Sequence, residues 1–483
     1  MNYIYAIPTI MSAATFLDLL KKRFPYEPTV SQEDWFREIS DFFYSKPSQN
    51  AFVLTGYAGT GKSTLIGFLV NVLSHAGYKS VLMAPTGRAA KVISAYAKRP
   101  SYTIHKQIYF PKSDSSGGIS FKLKANKYKK TVFIIDEASM IGDDRQQSKL
   151  FENGSLLNDV VQYVLSGEHC KLIFVGDPAQ LPPVNLDISP ALDVDELEHQ
   201  YFDQVPSVRL ETVVRQAEGS GILCNATALR EQLSLAVFDQ FQFQLDGFTD
   251  VIRMQDGQEL FVAIEDSFSE KGTDQTVFIV RSNKRANLYN DNIRKRILLL
   301  EEELSVGDQL MVVKNNYFWI SPDSKPGFIA NGDVIAIRAI YAYKSLYGYS
   351  FAEVRIAMVD YPDESEFDTV LILDTLKSNT ASLSYEKGNE LYRKVLEDYS
   401  EETSKYKKFL KVKKNPFFNA LQVKYSYAIT CHKSQGGQWD SVFVEHPYLP
   451  DGPDKDYFRW LYTALTRAKE KLYLIGFPQS YFE

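Results

Sequence analysis

The chain is poor in cysteine, in long apolar runs and in net positive charge. It has 3 cysteines in 483 residues. Cys170, Cys224 and Cys431 lie far apart and fit no metal-ligand spacing, which excludes a disulfide scaffold and a cysteine-built zinc site. No stretch approaches the roughly 18 apolar residues of a membrane-spanning helix. The formal net charge is −6, so the chain as a whole is no basic nucleic-acid binder. Any such site must be a local basic track on an acidic body. Short-period repeats and low-complexity segments are also missing. Met1-Asn-Tyr-Ile-Tyr5 carries neither the basic start nor the apolar run of a signal peptide. The expectation is an intracellular, cytoplasmic protein with no membrane association.

What is there is an ordinary globular composition, 45% hydrophobic and 24% charged, with 30 Tyr and 31 Phe. The aromatics suit base stacking or a core equally. The length asks for more than one core. One stretch dominates the pattern: Gly56-Tyr-Ala-Gly-Thr-Gly-Lys-Ser63, followed by Thr64. It fits G-x-x-x-x-G-K-[ST], with the strand-like Ala51–Thr55 before it and the apolar, helical Leu65–Val70 after it. In such a loop Gly56, Ala58, Gly59, Thr60, Gly61 and Thr64 turn backbone N–H groups onto a triphosphate. Lys62 reaches the β- and γ-phosphates, and Ser63 ligates Mg²⁺.

Apolar runs at 80–84, 131–135 and 171–175, with a helix over 88–97, predict a doubly wound α/β domain with a parallel sheet. A second α/β set has strands at 276–280, 423–429, 441–445 and 471–475 and a helix over 284–300. Between them, short strands around 310–313, 334–337, 351–359 and 369–373 predict an inserted β-barrel. Residues 1–50 read as helices, with Ser31 and Asp34 as a capping box.

Two strand ends carry polar chemistry. Asp136 and Glu137 follow the 131–135 strand, where one acid can hold Mg²⁺ and the next can orient the attacking water. Gly176-Asp-Pro-Ala-Gln180 follows the 171–175 strand as a turn, and Gln180 is placed to sense a γ-phosphate.

Gly-Tyr-Ala-Gly-Thr-Gly-Lys-Ser, Asp-Glu-Ala-Ser-Met and Gly-Asp-Pro-Ala-Gln-Leu-Pro-Pro-Val, in this order, resemble motifs I, II and III of superfamily 1 helicases. The branch they resemble is the class B, RecD/Dda/Pif-like group. Ala84–Lys91 looks like motif Ia, Thr103-Ile-His-Lys106 like the Thr-Ile-His after it, and Val213–Gln216 like motif IV. Thr430–Gly437 looks like motif V and Leu461–Ala468 like motif VI.

The resemblance implies two RecA-like P-loop domains with a β-hairpin insertion in the first and an SH3-like β-barrel insertion in the second. The implied layout is a helical lead-in over 1–50, a first domain over 51–270 with its hairpin at about 106–130, a second domain over 271–304 and 416–483, and a barrel over 305–415. It implies arginine fingers at Arg215 and Arg467 and an adenine-reading Gln32. Gly436 and Gln438 fall at motif V positions near the nucleotide. Gln438 departs from the acid common there. DNA contacts are implied for Pro85, Thr86, Gly87, Arg88, His105, Thr430, His432 and Lys433.

The hairpin falls where the family has a strand-separating pin, so Phe110 or Phe121 could stack at a fork, or the hairpin is simply solvated. Lysine-rich stretches at 122–130 and 405–414 are DNA tracks or solvated faces. Tyr462 suits nucleotide or core packing. The implied activity is ATP-dependent, Mg²⁺-dependent, 5′ to 3′ DNA unwinding by a monomer acting on single-stranded and forked DNA. The alternatives are an ATPase that moves on single strands without separating duplex, and a clamp with an inactive nucleotide fold.

Overall fold

The computed structural model describes residues 11–44, 49–113, 119–142, 155–214, 219–239, 241–321, 324 and 326–482; the side chains of 111–121 are outside the description. Two parallel sheets and a closed barrel carry these residues. The first sheet has the order Ser101–Thr103, Lys79–Ala84, Thr131–Ile135, Lys171–Gly176, Ala51–Gly56, Ser207–Leu210. Its neighbours pair in parallel. The central strands are buried along their whole length, which is why they read as unbroken apolar runs.

The lead-in helices Ala13–Arg23 and Val30–Tyr44 bury Phe16, Leu20, Trp35, Phe36 and Phe42 against Phe52, Leu54 and Leu65, so they complete the first domain's core. The capping expectation is corrected by two residues. The helix begins at Val30, and its box is Thr29 with Gln32: Gln32 N donates to Thr29 Oγ1 (3.3 Å) and Thr29 N donates to Gln32 Oε1 (3.1 Å).

The second sheet has the order Ala428–Thr430, Thr276–Val280, Trp439–Glu445, Ala468–Ile475, Val251–Met254, again parallel. Val251–Met254 therefore belongs to the second sheet, and that domain draws on residues before 271. The expected strand over 423–429 is two elements. Leu421–Tyr425 closes the barrel and Ala428–Thr430 edges the sheet. The chain turns between them at buried Tyr427, whose hydroxyl donates to Asp308 Oδ1 (3.1 Å) and accepts from Gln309 N (3.0 Å).

The barrel runs Gln309–Val312, Val334–Leu346, Tyr349–Met358, Phe367–Ile372, Leu421–Tyr425, so it extends past the expected boundary at 415. The helix expected over 284–300 stops at Asn292 and continues as a π-turn, Ile293–Ile297. Arg294 in that turn is buried in a two-pronged ion pair with Asp308, both contacts 2.8 Å, which ties the helix to the barrel's first hairpin. Two helices not anticipated as elements, Tyr385–Glu397 and Lys405–Lys413, pack Leu391, Val395 and Val412 on Phe351, Val370 and Ile372 of the barrel.

Tyr109–Ser113 and Ile119–Leu123 pair antiparallel, Pro111 opposite Phe121. The Gly117-Gly118 turn lies outside the described residues.

Candidate nucleotide and nucleic-acid site

The P-loop leaves a strand buried at every position and enters the helix Lys62–Val72 through Gly61, whose φ of 88° is left-handed. A Cβ at Gly61 would stand 2.8 Å from Gln32 Nε2. Gly59 is also left-handed, with φ 76°. Glycine is needed at both for that reason. Gln32 is buried and its Nε2 donates to Thr60 O (3.1 Å). With its other amide end in the capping box, Gln32 braces the loop in this conformation. Lys62 Nζ donates to Gly56 O (2.6 Å) and Tyr57 O (2.9 Å), so the ammonium is folded back on the loop that phosphates would share with it.

Asp136 N donates to Met83 O (3.0 Å), and Asp136 Oδ1 accepts from Glu137 N (2.9 Å). Burial, then the neighbouring Glu137 charge, push the Asp136 carboxyl up to about 7. A Ser hydroxyl and a carboxylate short of positive charge are a donor set that suits a hard divalent cation. Glu137 holds φ 55°, a left-handed conformation that costs a non-glycine residue about 1–2 kcal/mol. That conformation turns the Glu137 side chain out of the line of its strand.

The other side of the cleft is the helix Lys455–Leu465. Tyr462 is buried there, donates its hydroxyl proton to Asp177 Oδ2 (2.7 Å) and accepts from Ala58 N (2.9 Å). One hydroxyl thus joins the P-loop, the 177–181 loop and the second domain. Burial and the Asp177 charge raise its pKa well above the usual phenol value. Thr463 Oγ1 accepts from Leu181 N (2.8 Å), and Gln435 Nε2 donates to Leu181 O (2.7 Å). Gln180 is buried with its Oε1 unpartnered. Arg467 is buried too; its guanidinium donates to Thr463 O (2.9 Å), Gly437 O (3.3 Å) and Thr466 Oγ1 (3.1 Å), with no carboxylate among these partners. Arg215 lies outside the described residues; Val214 N, beside it, donates to Gly59 O (3.1 Å).

From this cleft the contacts continue to the expected DNA residues. Gly436, with φ 72°, lies against Ala89 and Thr86, and Gly437 against Trp439 and Arg88. Gln438 is exposed. Thr86 caps the helix Gly87–Ala97 by accepting from Ala89 N (3.2 Å), and Pro85 precedes it half-buried. Thr430 is half-buried and His432 exposed.

Two of the expected DNA residues have partners within the protein. Arg88 stacks on Trp439 (4.3 Å to the ring centroid), because the paired glycines leave room for the indole, so its charge is turned to the second domain. His105 packs near Tyr109 and Phe328, and burial lowers its pKa to about 4, so its ring is held neutral. Lys433 donates to Asn331 Oδ1 of the barrel (2.5 Å), with burial lowering its pKa to about 8. Phe110 is 48% exposed on the hairpin. The side chain of Phe121 is outside the description.

The motif reading gave no role to the barrel's side of this surface. Asp333 is buried with Oδ1 unpartnered, and a Cβ on Gly87 would collide with its carboxylate. Burial, then Asp360, raise its pKa to about 8. Asp360 is 3.8 Å from Lys91. Lys106 Nζ donates to Ser324 O (2.7 Å). The only signal in the sequence was Asn331-Gly-Asp333, which reads as a turn.

Against known families, the AAA domain matches residues 43–242 and the UvrD-like helicase C-terminal domain matches residues 425–475. The ATP-dependent DNA helicase dda of Enterobacteria phage T4 is 24% identical over 449 residues, 89% of this chain and 95% of its own length. Along most of its length the chain is thus similar to an ATP-dependent DNA helicase, and its C-terminal part matches a helicase domain. The uncharacterized protein R530 of Acanthamoeba polyphaga mimivirus is 23% identical and covers 89% of this chain and 96% of itself. The ATP-dependent RecD2 DNA helicase of Deinococcus radiodurans is 31% identical over 178 residues, 37% of this chain and 21% of its own. Among solved structures, the Pif1 helicase from Bacteroides in complex with ADP-AlF3 and ssDNA aligns with a TM-score of 0.44 and 16% identity over 95% of each chain. In this family's terms the nucleotide cleft joins motifs I, III and VI, and motif V runs from that cleft to motif Ia.

Proposed function

We propose that this chain is a superfamily 1 helicase of the RecD/Dda/Pif-like group that couples ATP hydrolysis to 5′ to 3′ movement along single-stranded DNA and to separation of duplex strands. The observation that carries the reading is the Tyr462 hydroxyl, bonded at once to the P-loop N–H of Ala58 and to Asp177. A change at the γ-phosphate is thereby felt by both α/β domains.

ATP phosphates lie on the N–H groups of the 59–64 loop, and Lys62 leaves its carbonyl partners to meet them. Mg²⁺, held by Ser63 and Asp136, supplies charge neutralisation between the phosphates when bound. Glu137 orients the attacking water and Gln180 reads the γ-phosphoryl. Arg467 and Arg215 stabilise the charge that develops on it. Thr86, Gly87, Thr430, His432 and Lys433 hold the strand by its backbone, independently of sequence. The hairpin bearing Phe110 parts the duplex.

The test is unwinding of matched 5′-tailed and 3′-tailed duplexes with ATP, wild type beside Lys62→Ala. Unwinding of the 5′-tailed substrate alone, absent in Lys62→Ala, is the expected result. Unwinding of the 3′-tailed substrate alone contradicts the polarity. A deletion of residues 111–127 that keeps DNA-stimulated hydrolysis but loses unwinding assigns strand separation to the hairpin.

A further inference from the structure

A cavity of about 160 Å³ lies where the two α/β domains meet, and its lining does not include Lys62, Ser63, Asp136 or Glu137. Tyr57 and Ala179 form its floor, and Arg209, Arg230, Lys455 and Arg459 line its walls. Arg209 comes from the first sheet, Arg230 from the helix Gly221–Leu235, and Lys455 and Arg459 from the helix that also carries Tyr462.

Four cations converge there, and the carboxylate within ion-pair range among the described residues is Asp187 alone. Its side chain is 85% exposed and stands 3.4 Å from Lys455 and 3.9 Å from Arg459. Arg459 has a side-chain exposure of 11%, and its buried Nη1 has no hydrogen-bond partner. Arg230 is stacked on Tyr57 (4.4 Å) and spends one N–H on Glu211 O (3.2 Å), which leaves the rest of its fork for another acceptor. Two guanidinium forks, an ammonium and a buried orphan donor around a small space match an oxyanion, and a buried orphan donor in a folded protein calls for a partner.

We propose that this cavity is a second anion site that binds inorganic phosphate or pyrophosphate and, when filled, ties the two α/β domains together. It adjoins the P-loop through Tyr57 but is not lined by Lys62 or Ser63, and it does not rest on the helicase reading. The ligand's oxygens accept from Arg459 Nη1 and the Arg230 fork, with Arg209 and Lys455 closing the rim. The bound anion then spans the first sheet and the helix of Tyr462, so it favours the closed cleft.

The experiment is calorimetric titration of the Lys62→Ala protein with pyrophosphate, which weakens the P-loop cradle without touching the cavity, so that binding lost on cavity substitutions is the cavity's own. Saturable binding at one site is expected, weakened roughly tenfold or more by adding Arg459→Gln or Arg230→Gln. Arg209→Gln changes an exposed residue and carries little risk to the fold; it is expected to weaken binding in the same direction. A thermal melt of each variant checks folding. A single-stranded oligonucleotide titrated in place of pyrophosphate separates the two sources of phosphate. No saturable binding of pyrophosphate, binding indifferent to all three substitutions, or binding of the oligonucleotide without pyrophosphate overturns the proposal.

Discussion

Two seams cross this molecule, and they are built differently. The nucleotide seam is closed by direct hydrogen bonds between side chains and backbone of motif residues on both sides: Tyr462 to Ala58 and Asp177, Thr463 to Leu181, Gln435 to Leu181. The seam between the DNA motifs and the barrel joins motif residues to loops that carry no motif: Lys106 to Ser324, Lys433 to Asn331, Gly87 against Asp333. At the centre of the first seam the Tyr462 hydroxyl is satisfied in both directions, while Gln180 Oε1 beside it is buried without a partner. The second contains a carboxylate, Asp333, that is buried without a full set of partners. The two buried acceptors differ in kind: Gln180 is a neutral amide, whereas Asp333 is a titratable acid, so the second seam responds to pH and the first does not through this group.

The largest break in the comparison is Arg467→Ala. Among the described residues no carboxylate neutralises the guanidinium, and its loss should lower kcat for ATP hydrolysis on the order of 10³-fold, while removing its hydrogen bonds to Thr463 O and Gly437 O costs about 1–3 kcal/mol and leaves the protein folded. Steady-state hydrolysis and a thermal melt read this together. A loss of both would make Arg467 a structural residue.

Tyr462→Phe keeps the ring and removes the shared hydroxyl. Asp177 Oδ2 and Ala58 N then lose a partner, which should cost about 1–3 kcal/mol in denaturant unfolding and weaken coupling between the domains. An unchanged midpoint would mean that the bridge adds nothing.

Asp333 sharpens the contrast through pH. Its pKa is raised from 3.8 to about 8, so the folded state holds a proton that the unfolded state gives up. Stability from this group is full below the ordinary carboxylate value and is lost as pH rises through about 8. Asp360, the backbone N–H of Ala330, Lys91 and Tyr361 surround it. His105 acts in the opposite sense, losing stability as pH falls from 6.5 toward about 4. Asp136, near 7, and Lys433, near 8, titrate in the same range, so the acid is isolated by the difference between wild type and Asp333→Asn in melts from roughly pH 6.5 to 8.5. Wild type should lose several degrees over that range and Asp333→Asn should lose less. Equal slopes contradict the assignment.

The smallest effect separates two cations of motifs Ia and V. Lys433→Ala should lower the salt slope of single-strand binding by about one, as expected for one lost phosphate contact. Arg88→Gln should leave that slope nearly unchanged, since its guanidinium rests on Trp439. Equal changes would return Arg88 to the DNA surface.

How legible all this was depends on where a residue's partner sits. The central strands of both sheets, buried on both faces, made unbroken apolar runs and could be read directly, whereas the edge strands Ser101–Thr103 and Ser207–Leu210 are short and were not. The P-loop and the acidic strand end were legible because phosphate and cation chemistry fixes residue type and spacing. Tyr462 was found but its role was not, since its partners lie more than 280 residues away. Val251–Met254 was missed because four residues with Arg253 in the middle make a weak run, and only the neighbouring strand Ala468–Ile475 gives it a sheet. The helices Tyr385–Glu397 and Lys405–Lys413 had serine caps at Ser384 and Ser404 that a stricter reading could have used. Asp333 could not be found, because a turn acid looks the same whether it faces water or a neighbouring helix.

The central claim is that one continuous run of contacts, from Ala58 through Tyr462, Asp177–Leu181, Gln435 and Gly436 to Thr86, lets DNA and nucleotide sense each other. The most direct measurement is the ratio of ATP hydrolysis with and without single-stranded DNA, in wild type and in Tyr462→Phe. The account predicts strong stimulation in wild type and a reduced ratio in the variant with basal hydrolysis retained. An unstimulated wild type, or a variant stimulated as fully as wild type, contradicts it.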